Sequence, residues 1–292
     1  MADLAYHQTP AARIGRFGIY AVLALFALYY LAPLYVMVVT SLKSLEEVRN
    51  GNLLALPAAP SLEAWSTAWS SACTGVECSG IQGYFWNSIK MLVPAVALST
   101  LIGAVNGYVL AMWRFKGSDL FFTLLMIGCF LPFQVVILPM AQMLGFLGLE
   151  NGTARLVLVH TIYGLAFTTM FFRNFYVTIP DELVKAARID GAGFLRIFFR
   201  IMLPISLPTI AVCVIWQTTQ IWNDFLFGVV FSAGETQPMT VALNNLVNTS
   251  TGVKHYNVEM AAAIIAALPT LCVYAFGGKY FIRGLTAGAV KG

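Results

Sequence analysis

The sequence predicts an all-α membrane protein with six transmembrane helices, and three observations lead to this fold class. The chain has 292 residues, of which 59% are hydrophobic and only 10% charged, with a mean hydropathy of +0.77. Soluble domains carry about 25% charged residues. Six apolar runs approach the roughly 20 residues that a helix needs to cross a bilayer. Because lipid offers the backbone no hydrogen-bond partners, each run is expected to be helical.

The six predicted spans follow one another without a visible domain boundary or long repeat. We place them at about 17–40, 88–112, 120–144, 154–175, 205–231 and 258–278. The first run is longer than the core of a secretory signal peptide, and no small-residue cleavage site follows it, so it is expected to remain as a span. The longest connection contains LEAWSTAW, which suggests a short interfacial helix. We expect residues 1–292 to form a single membrane domain.

The basic residues set the expected orientation, since cytoplasmic loops of membrane proteins carry an excess of lysine and arginine. With the N-terminus inside, all but five of the 17 lysines and arginines fall on the inner side. The five on the outer side are Lys43, Arg49, Lys90, Arg155 and Lys254. Both termini, and the charged segment between spans 4 and 5, are therefore expected in the cytoplasm. The small net charge of +4 argues against a nucleic-acid partner and leaves membrane lipid as the expected surroundings.

Two of the five cysteines, Cys73 and Cys78, fall in the first outer loop, in ACTGVECSG. An oxidising exterior would permit a disulfide between them. Two free thiols in a mobile loop fit the sequence equally well. A metal site is not expected, because no second cysteine pair lies nearby.

A long charged segment at about 178–204 separates spans 4 and 5. The stretch TIPDEL is typical of a helix start, with a capping hydroxyl at Thr178, a proline and an early acid at Asp181. We expect a helix of about ten residues, a turn at Gly191 and Gly193, and a second helix over FLRIFFRIML. This helix–turn–helix layout favours a docking surface over a simple solvated connector.

The segment KAARIDGAGFLRIFFRIMLPISLP resembles the coupling-loop motif of permease subunits in binding-protein-dependent ABC importers. That motif reads Glu-Ala-Ala, three residues, Gly, about nine residues, then an aliphatic residue and Leu-Pro. The residues that match it in register are Ala186, Ala187, Asp190, Gly191, Ala192, Leu203 and Pro204. Lys185 stands where the family usually has glutamate. Glu182, one turn earlier on the same face, is the candidate substitute.

The resemblance covers most of the chain and grows strong from about residue 84 onward. FFRNFYVTIPDEL before the charged segment, WNDFLF after it and the ending RGLTAGAVKG are similar to the second permease of maltose- and glucose-type sugar importers. In detail the chain looks closest to the glucose/mannose importer permeases of bacteria. The resemblance implies an ABC importer transmembrane domain in the bacterial inner membrane.

The resemblance also implies which residues meet a cytoplasmic ATPase. The coupling residues would be Glu182, Lys185, Ala186, Ala187, Asp190 and Gly191. A C-terminal tail containing Gly284, Gly288 and Lys291 would reach toward the interface of the ATPase dimer, whereas composition alone favours a disordered end. No phosphate-binding G-x-x-x-x-G-K-[ST] motif occurs, so ATP and magnesium are expected on the partner ATPase and no cofactor on this chain.

Catalysis by this chain is not expected. The three histidines, His7, His160 and His255, are far apart in the sequence, and no serine, cysteine or metal-ligand arrangement surrounds them. His160 lies inside the fourth predicted span, where a hydrogen-bonded structural histidine is the more common case. We predict a non-catalytic subunit with no catalytic residues and no metal.

A polar stripe runs along the fifth predicted span, within about 120° of arc at the 3.6-residue helical period. Its members include Trp216, Gln217, Gln220, Asn223 and Asp224. Amides, a carboxylate and an indole suit a polyol, whose hydroxyls and C–H faces they bind. Alternatively, these groups form hydrogen bonds between helices. Both roles stay open for the two glutamines and the aspartate, while the structural role suits the other two better.

The aspartate of this stripe requires a polar environment within the predicted span. An ionised aspartate at the bilayer centre costs about 2.5–3.5 kcal/mol on insertion scales, so Asp224 is expected to face protein or a water-filled path. It is the only acid well inside a predicted span. A stand-alone secondary transporter, which needs ion-coupling carboxylates within its spans, is therefore the less favoured alternative.

By resemblance, the chain would transport a carbohydrate, with a monosaccharide such as glucose as the first expectation. Another sugar or polyol, such as a disaccharide or glycerol phosphate, is the alternative within the same class. The expected partners are a second homologous permease, a dimer of ATPase subunits and a periplasmic sugar-binding protein.

Overall fold

The computed structural model describes residues 10–75, 77–113, 115–149, 152–248 and 253–289. Side chains are described from residue 14 to residue 278 within those ranges. Across them the chain is helical, with one isolated antiparallel β-bridge between Thr74 and Glu77 and no extended strand. The prediction of an all-α membrane protein is confirmed at the level of fold class.

The helices of the first half are α1 (Pro10–Ser41), α2 (Leu45–Asn50), α3 (Glu63–Ser70), α4 (Gln82–Met112), α5 (Ser118–Phe130), α6 (Phe133–Phe146) and α7 (Thr153–Tyr176). Those of the second half are α8 (Asp181–Ile189), α9 (Phe194–Ile197), α10 (Leu203–Ile205), α11 (Leu207–Trp222), α12 (Leu226–Phe231), α13 (Met239–Asn248) and α14 (Tyr256–Ala289). A π-helical turn, Phe198–Met202, joins α9 to α10, and a 3₁₀ turn, Gly234–Thr236, precedes α13. Helix α3 confirms the short helix predicted over LEAWSTAW, and its position at the membrane interface stays a prediction.

Four helices are individually long and apolar enough to cross a membrane, at Ile14–Ser41, Gln82–Met112, Thr153–Tyr176 and Tyr256–Gly278. Two further candidates are bent pairs. The chain bends by 108° between α5 and α6, and by 75° between the segment Phe194–Ile205 and α11. The described chain therefore holds four candidate spans, or up to six if each bent pair is one span. The number of six spans and the cytoplasmic location of both termini stay predictions.

Two predicted spans differ from the observed helices. The run at 120–144 was expected to be one helix, but it breaks between Phe130 and Phe133, where Pro132 has no N–H to continue the helical ladder. The run at 205–231 was also expected to be one helix. Instead α11 ends at Trp222, and α12 begins separately at Leu226.

The chain divides into two compact units, the first comprising Met1–Trp69 and Ser250–Ile264. Within it, the N–H of the Trp65 indole donates to Ser41 Oγ at 3.2 Å, and Lys43 Nζ donates to the Asn52 carbonyl at 2.9 Å. Asn257 Nδ2 donates to the Lys43 carbonyl at 3.0 Å. These bonds fix the polar residues that follow α1, whose apolar side chains are largely exposed.

The second unit, Ser70–Thr249 and Ile265–Gly292, is organised around close packing of α4 against α7. Gly107 permits this approach, since a Cβ atom there would lie 2.6 Å from the Phe172 Cβ. One turn earlier, a Cβ on Gly103 would collide with the Thr168 side chain. The Thr168 hydroxyl instead donates to the Ser99 carbonyl at 2.9 Å, so the two backbones lie close enough for a direct hydrogen bond between the helices.

The charged segment folds as the predicted helix–turn–helix. Gly191 adopts a left-handed φ of +76°, a conformation that residues other than glycine rarely adopt, and it follows Asp190, the C-cap of α8. The expected capping hydroxyl was wrong, because Thr178 Oγ1 donates back to the Phe175 carbonyl at 2.7 Å and Pro180 occupies the cap position. The second helix is less regular than predicted, since its middle is the π-helical turn.

Candidate functional site

Helix α8 has one buried face and one broad exposed face. Val184 and Ala187 are 4% and 8% exposed and belong to a buried cluster that also includes residues of α4, α7, α9 and α11. The remaining residues of α8 are exposed. An amphipathic helix buries its apolar stripe against its own chain and leaves the opposite face available.

The predicted coupling residues divide between these faces. Glu182, Lys185, Ala186, Asp190 and Gly191 are exposed. Ala187 is instead packed inside the chain, so its small side chain serves the approach of α8 to the rest of the unit rather than the approach of another protein.

Sequence reasoning missed the most exposed apolar side chain of this surface. Ile189, the last residue of α8, is 87% exposed, and Leu195 beyond the turn is 64% exposed. Large apolar residues standing free beside charged ones are typical of a docking surface. The signal was present in the sequence as an isoleucine between Arg188 and Asp190, but its exposure depends on which face of α8 is buried. We call residues 182, 183, 185, 186, 189 and 190 the α8 outer surface.

A cation–π contact joins α8 to the end of α4. The guanidinium carbon of Arg188 lies 3.8 Å from the centroid of the Trp113 ring. Trp113 caps α4, with its backbone N–H bonded to the Val109 carbonyl at 3.0 Å. At an exposed site such a contact contributes about 0.5–1 kcal/mol. Neither residue belongs to the coupling set that the sequence motif suggested.

Aromatic side chains continue inward from this contact. Phe194, the first residue of α9, packs edge-on against Trp113 at 5.3 Å and lies 5.0 Å from the Tyr108 ring. Tyr108 stacks on Phe198 at 5.6 Å and is fully buried. The cluster reaches α7 through Tyr176, whose hydroxyl donates to Ser206 Oγ at 3.2 Å beside the bend before α11. The charged segment is thereby packed onto the ends of three long helices.

A second candidate site is an open cavity of about 660 Å³ lined mainly by α7, α11 and the segment up to α12. Its lining includes five residues of the predicted stripe and four from the facing elements: Trp216, Gln217, Gln220, Asn223 and Asp224 from the stripe, and His160, Tyr163, Phe167 and Phe227 opposite them. The volume lies within the range of small-molecule sites, which is about 300–1,000 Å³. The structure therefore brings the five residues predicted for the substrate path to one cavity.

Asp224 has a structural task at the rim of this cavity. Its Oδ1 accepts from the Phe227 N–H at 3.3 Å and its Oδ2 from the Gly228 N–H at 3.1 Å, which caps the start of α12. Its own carbonyl accepts from Thr240 Oγ1 at 2.6 Å. A carboxylate at a helix N-terminus is stabilised by the free N–H groups and the helix dipole. The side chain is 16% exposed, so part of it still faces the cavity.

His160 faces the same carboxylate from α7. Its Nε2 lies 3.7 Å from Asp224 Oδ2, and it has no hydrogen-bond partner within the described residues. The side chain is only 5% exposed and packs edge-on against Phe227 at 5.6 Å. The predicted structural role of His160 agrees with this burial, although the expected hydrogen bond is absent from the described chain.

The two glutamines of the stripe are in different environments. Gln217 is 2% exposed, and its Nε2 donates to Ser99 Oγ on α4 at 2.8 Å. The site for its amide exists because residue 164 is glycine, where a Cβ would collide with the amide. Gln220, one turn later, is exposed in the cavity. Gln217 therefore holds helices together, and Gln220 can meet a solute.

The two remaining stripe residues, Asn223 and Trp216, make contacts within the chain and are also part of the cavity lining. Asn223 Nδ2 donates to the Thr219 carbonyl at 2.9 Å and lies 3.5 Å from Thr270 Oγ1 on α14. Trp216 packs against Phe167 at 4.4 Å between ring centroids, and one side of it remains open to the cavity. Trp222, the last residue of α11, does not line the cavity; it is buried, and its indole N–H donates to the Ala266 carbonyl at 2.8 Å.

The outer-loop cysteines and the tail complete the predicted residues. Cys73 and Cys78 are joined in a disulfide, which closes the short loop carrying the Thr74–Glu77 bridge. Gly284 and Gly288 lie within α14, whereas Lys291 lies outside the described residues. Among the residues that the structure describes, no three His, Cys, Asp or Glu side chains come together as metal ligands.

Comparisons with known proteins agree on the class of this chain. Residues 87–285, more than half of its length, match the family model "binding-protein-dependent transport system inner membrane component". A probable ABC transporter permease protein from Pyrococcus horikoshii is 46% identical over 61% of this chain and 65% of its own length, just under two thirds. The xylose/arabinose import permease of Haloferax volcanii is 33% identical over 72% of this chain and 74% of its own length.

A solved structure shares the fold. It is that of a bacterial ABC transporter involved in the import of the acidic polysaccharide alginate, and it superposes with a TM-score of 0.81 over 94% of this chain and 98% of the other at 22% identity. At that identity the likeness concerns the fold alone. With several membrane-spanning helices and a family match across most of its length, this chain belongs to the inner membrane components of binding-protein-dependent transport systems.

Proposed function

We propose that the protein is a non-catalytic permease subunit of an ATP-driven ABC importer for a sugar, in a bacterial inner membrane. Family membership supports the importer class, and the named cargo of the Haloferax relative supports a sugar. The observation that carries the proposal is α8, an amphipathic helix buried on one face and open on the other, in the segment that resembles the family's coupling loop.

In this proposal the α8 outer surface docks on a cytoplasmic ATPase. Ile189 is the apolar anchor of the contact, and Glu182 and Lys185 fix its register. Apolar anchors ringed by polar residues are the common plan of protein interfaces. ATP and magnesium bind to the ATPase dimer, not to this chain. Closure of that dimer moves α8, and the aromatic cluster passes the movement to α4, α7 and α11.

The cavity beside α11 is the proposed sugar path, completed by a second, homologous permease. Gln220 and the exposed part of Asp224 offer hydrogen bonds to hydroxyl groups, and Trp216 offers a ring face to the C–H groups of a sugar. A periplasmic binding protein delivers the cargo to this path. A monosaccharide such as glucose is our first candidate, with a disaccharide or another polyol as the alternative.

The proposal includes a topology of six spans with both termini in the cytoplasm. The bent pair α5–α6 then crosses the membrane once, whereas in the second bent pair only α11 crosses, since Phe194–Ile205 is the second helix of the cytoplasmic segment. Each break is buried in protein or lines the cavity, because lipid cannot satisfy broken backbone hydrogen bonds. The disulfide loop lies outside, where oxidation is possible. The end of α14, with Gly284 and Gly288, runs toward the ATPase dimer.

Co-purification tests the proposal directly. The full chain, extracted with detergent from membranes of the cells that produce it, is expected to purify with a second permease and an ATPase. In proteoliposomes, the binding protein plus D-glucose, D-xylose or L-arabinose is expected to stimulate ATP hydrolysis for at least one sugar. Sugar accumulation by the purified chain alone, with no nucleotide-hydrolysing partner, would contradict the proposal and favour a secondary transporter.

A further inference from the structure

We infer that Trp113 and Arg188 are positioning residues that make α4 follow α8. The inference rests on the proposed function, since it assumes that an ATPase moves α8. It goes beyond that function by assigning the transmission from α8 to α4 to one contact between two residues that are not among the predicted coupling residues.

Trp113 is the C-cap of α4 and contacts one residue on each side of the turn at Gly191. Its backbone N–H closes the last turn of α4 on the Val109 carbonyl. Its ring meets Arg188 from α8 at 3.8 Å on one side and Phe194 from α9 at 5.3 Å on another. Between those two residues lies the turn at Gly191. One side chain at the end of α4 therefore contacts both helices of the charged segment, on either side of the turn between them.

Helix α8 has few other side chains with which to hold α4. Within the described chain it buries only Val184 and Ala187, and both are short. Arg188 extends the same face, since residues 184, 187 and 188 are three and four positions apart. The long side chain of Arg188 keeps α8 in contact with the Trp113 ring, and the α8 outer surface remains free for a partner. Without Arg188, the buried contact of α8 with the rest of the unit would consist of the side chains of Val184 and Ala187.

The contact suits a joint that must bear movement. An arginine attracts an aromatic face without the narrow angular limits of a hydrogen bond, so the pair tolerates small rotations. The ring is in turn supported from inside by Tyr108, which is fully buried at 6.3 Å from it. A displacement of α8 thus reaches α4 through a contact that stays closed while its geometry changes.

The test uses the intact importer complex in proteoliposomes, with the binding protein and D-glucose, D-xylose or L-arabinose as probes. The readouts are the ratio of sugar-stimulated to basal ATP hydrolysis and the sugar transported per ATP, both normalised to assembled complex. For Arg188→Met, which keeps length and removes charge, we expect the stimulation ratio to fall about two- to fivefold, the factor that corresponds to an exposed cation–π contact. In Trp113→Ala the stimulation ratio is expected to fall by at least the same factor.

Conservative variants separate positioning from mere folding. Arg188→Lys and Trp113→Phe keep a cation over an aromatic ring, and both are expected to restore most of the ratio. Arg196→Met is the matched control, because Arg196 is exposed just beyond the same turn and makes no cation–π contact in the described chain. We expect the control to match the wild type.

The possible results distinguish the inference from the function on which it rests. Wild-type stimulation together with an unchanged ratio in Arg188→Met and Trp113→Ala would overturn the inference and leave the function standing. Equal losses in Arg188→Lys and Arg188→Met would also overturn it, since charge over the ring would then be irrelevant. Failure of the wild type itself to respond to any probe sugar would count against the proposed function.

Discussion

Oδ2 of Asp224 accepts a hydrogen bond from the Gly228 N–H at 3.1 Å and lies 3.7 Å from His160 Nε2. One carboxylate thus caps α12 and faces α7 at the rim of the cavity. Its position explains why an acid is tolerated near the membrane interior, because its charge is met by backbone N–H groups rather than lipid.

Substitutions of Asp224 separate these two roles. Asp224→Ala removes the cap and the charge, and we expect about 0.5–2 kcal/mol of lost stability together with reduced transport. Asp224→Asn keeps an oxygen for capping, so it is expected to retain stability while transport still falls more than ATP hydrolysis. Thermal unfolding of the purified complex and sugar uptake measure the two effects. Equal loss of uptake and hydrolysis in both variants would assign Asp224 to folding alone.

The two glutamines of α11 form a matched pair. Gln217→Ala removes a buried hydrogen bond to Ser99 and leaves space beside Gly164, so we expect a loss of about 1–3 kcal/mol in stability. Gln220→Ala changes an exposed side chain, so stability is expected to stay within about 0.5 kcal/mol while the apparent affinity for sugar in transport falls. Thermal unfolding and uptake kinetics measure both. A stable Gln217→Ala protein with impaired sugar affinity would reverse the assignment.

Gly191 sets the coupling turn through its φ of +76°. Proline requires φ near −65°, so Gly191→Pro is expected to misplace α8 relative to α9 and abolish sugar-stimulated ATP hydrolysis. Membrane insertion is expected to be normal, since the change lies outside the apolar helices. The comparison variant is Gly193→Ala, at a position with an ordinary φ of −78°. Unchanged stimulation in the Gly191→Pro complex would refute the coupling role of this segment.

Packing between α4 and α7 depends on the absence of a side chain at Gly107. A Cβ there would lie 2.6 Å from the Phe172 Cβ and 2.7 Å from the Arg173 backbone nitrogen, so Gly107→Val must force the helices apart. Overpacking of this kind costs about 1–3 kcal/mol or more. Gly128→Val, at a glycine of α5 with open space around it, is the control. Similar unfolding temperatures for the two variants would contradict the packing described here.

The fold class could be predicted from apolar runs alone, but the breaks within those runs could not. Pro132 ends α5, whereas Pro33, Pro94, Pro139 and Pro269 are each accommodated within a helix. Proline therefore interrupts a helix at one position and is tolerated within a helix at others, depending on the packing around it rather than on the local sequence.

The candidate sites were predictable only in part, for a related reason. The stripe of α11 was correctly placed on one face by helical periodicity, but the division between buried Gln217 and exposed Gln220 depends on Ser99 and Gly164, which are distant in sequence. Asp224 carried a readable local signal, since aspartate three residues before a helical N–H is a common cap. It was missed because the helix was expected to continue to residue 231. The contact of Arg188 with Trp113 joins residues 75 positions apart, and no local pattern encodes it.

The proposed contact between the α8 outer surface and a nucleotide hydrolase is tested most directly by site-specific photo-cross-linking. A benzophenone amino acid would replace Ile189, which is 87% exposed, and in a matched control would replace Phe146, which is 92% exposed at the end of α6. In membranes containing the whole importer, we predict that position 189 cross-links to the ATPase subunit and that position 146 does not. No ATPase adduct from position 189, or equal adducts from both positions, would contradict the account.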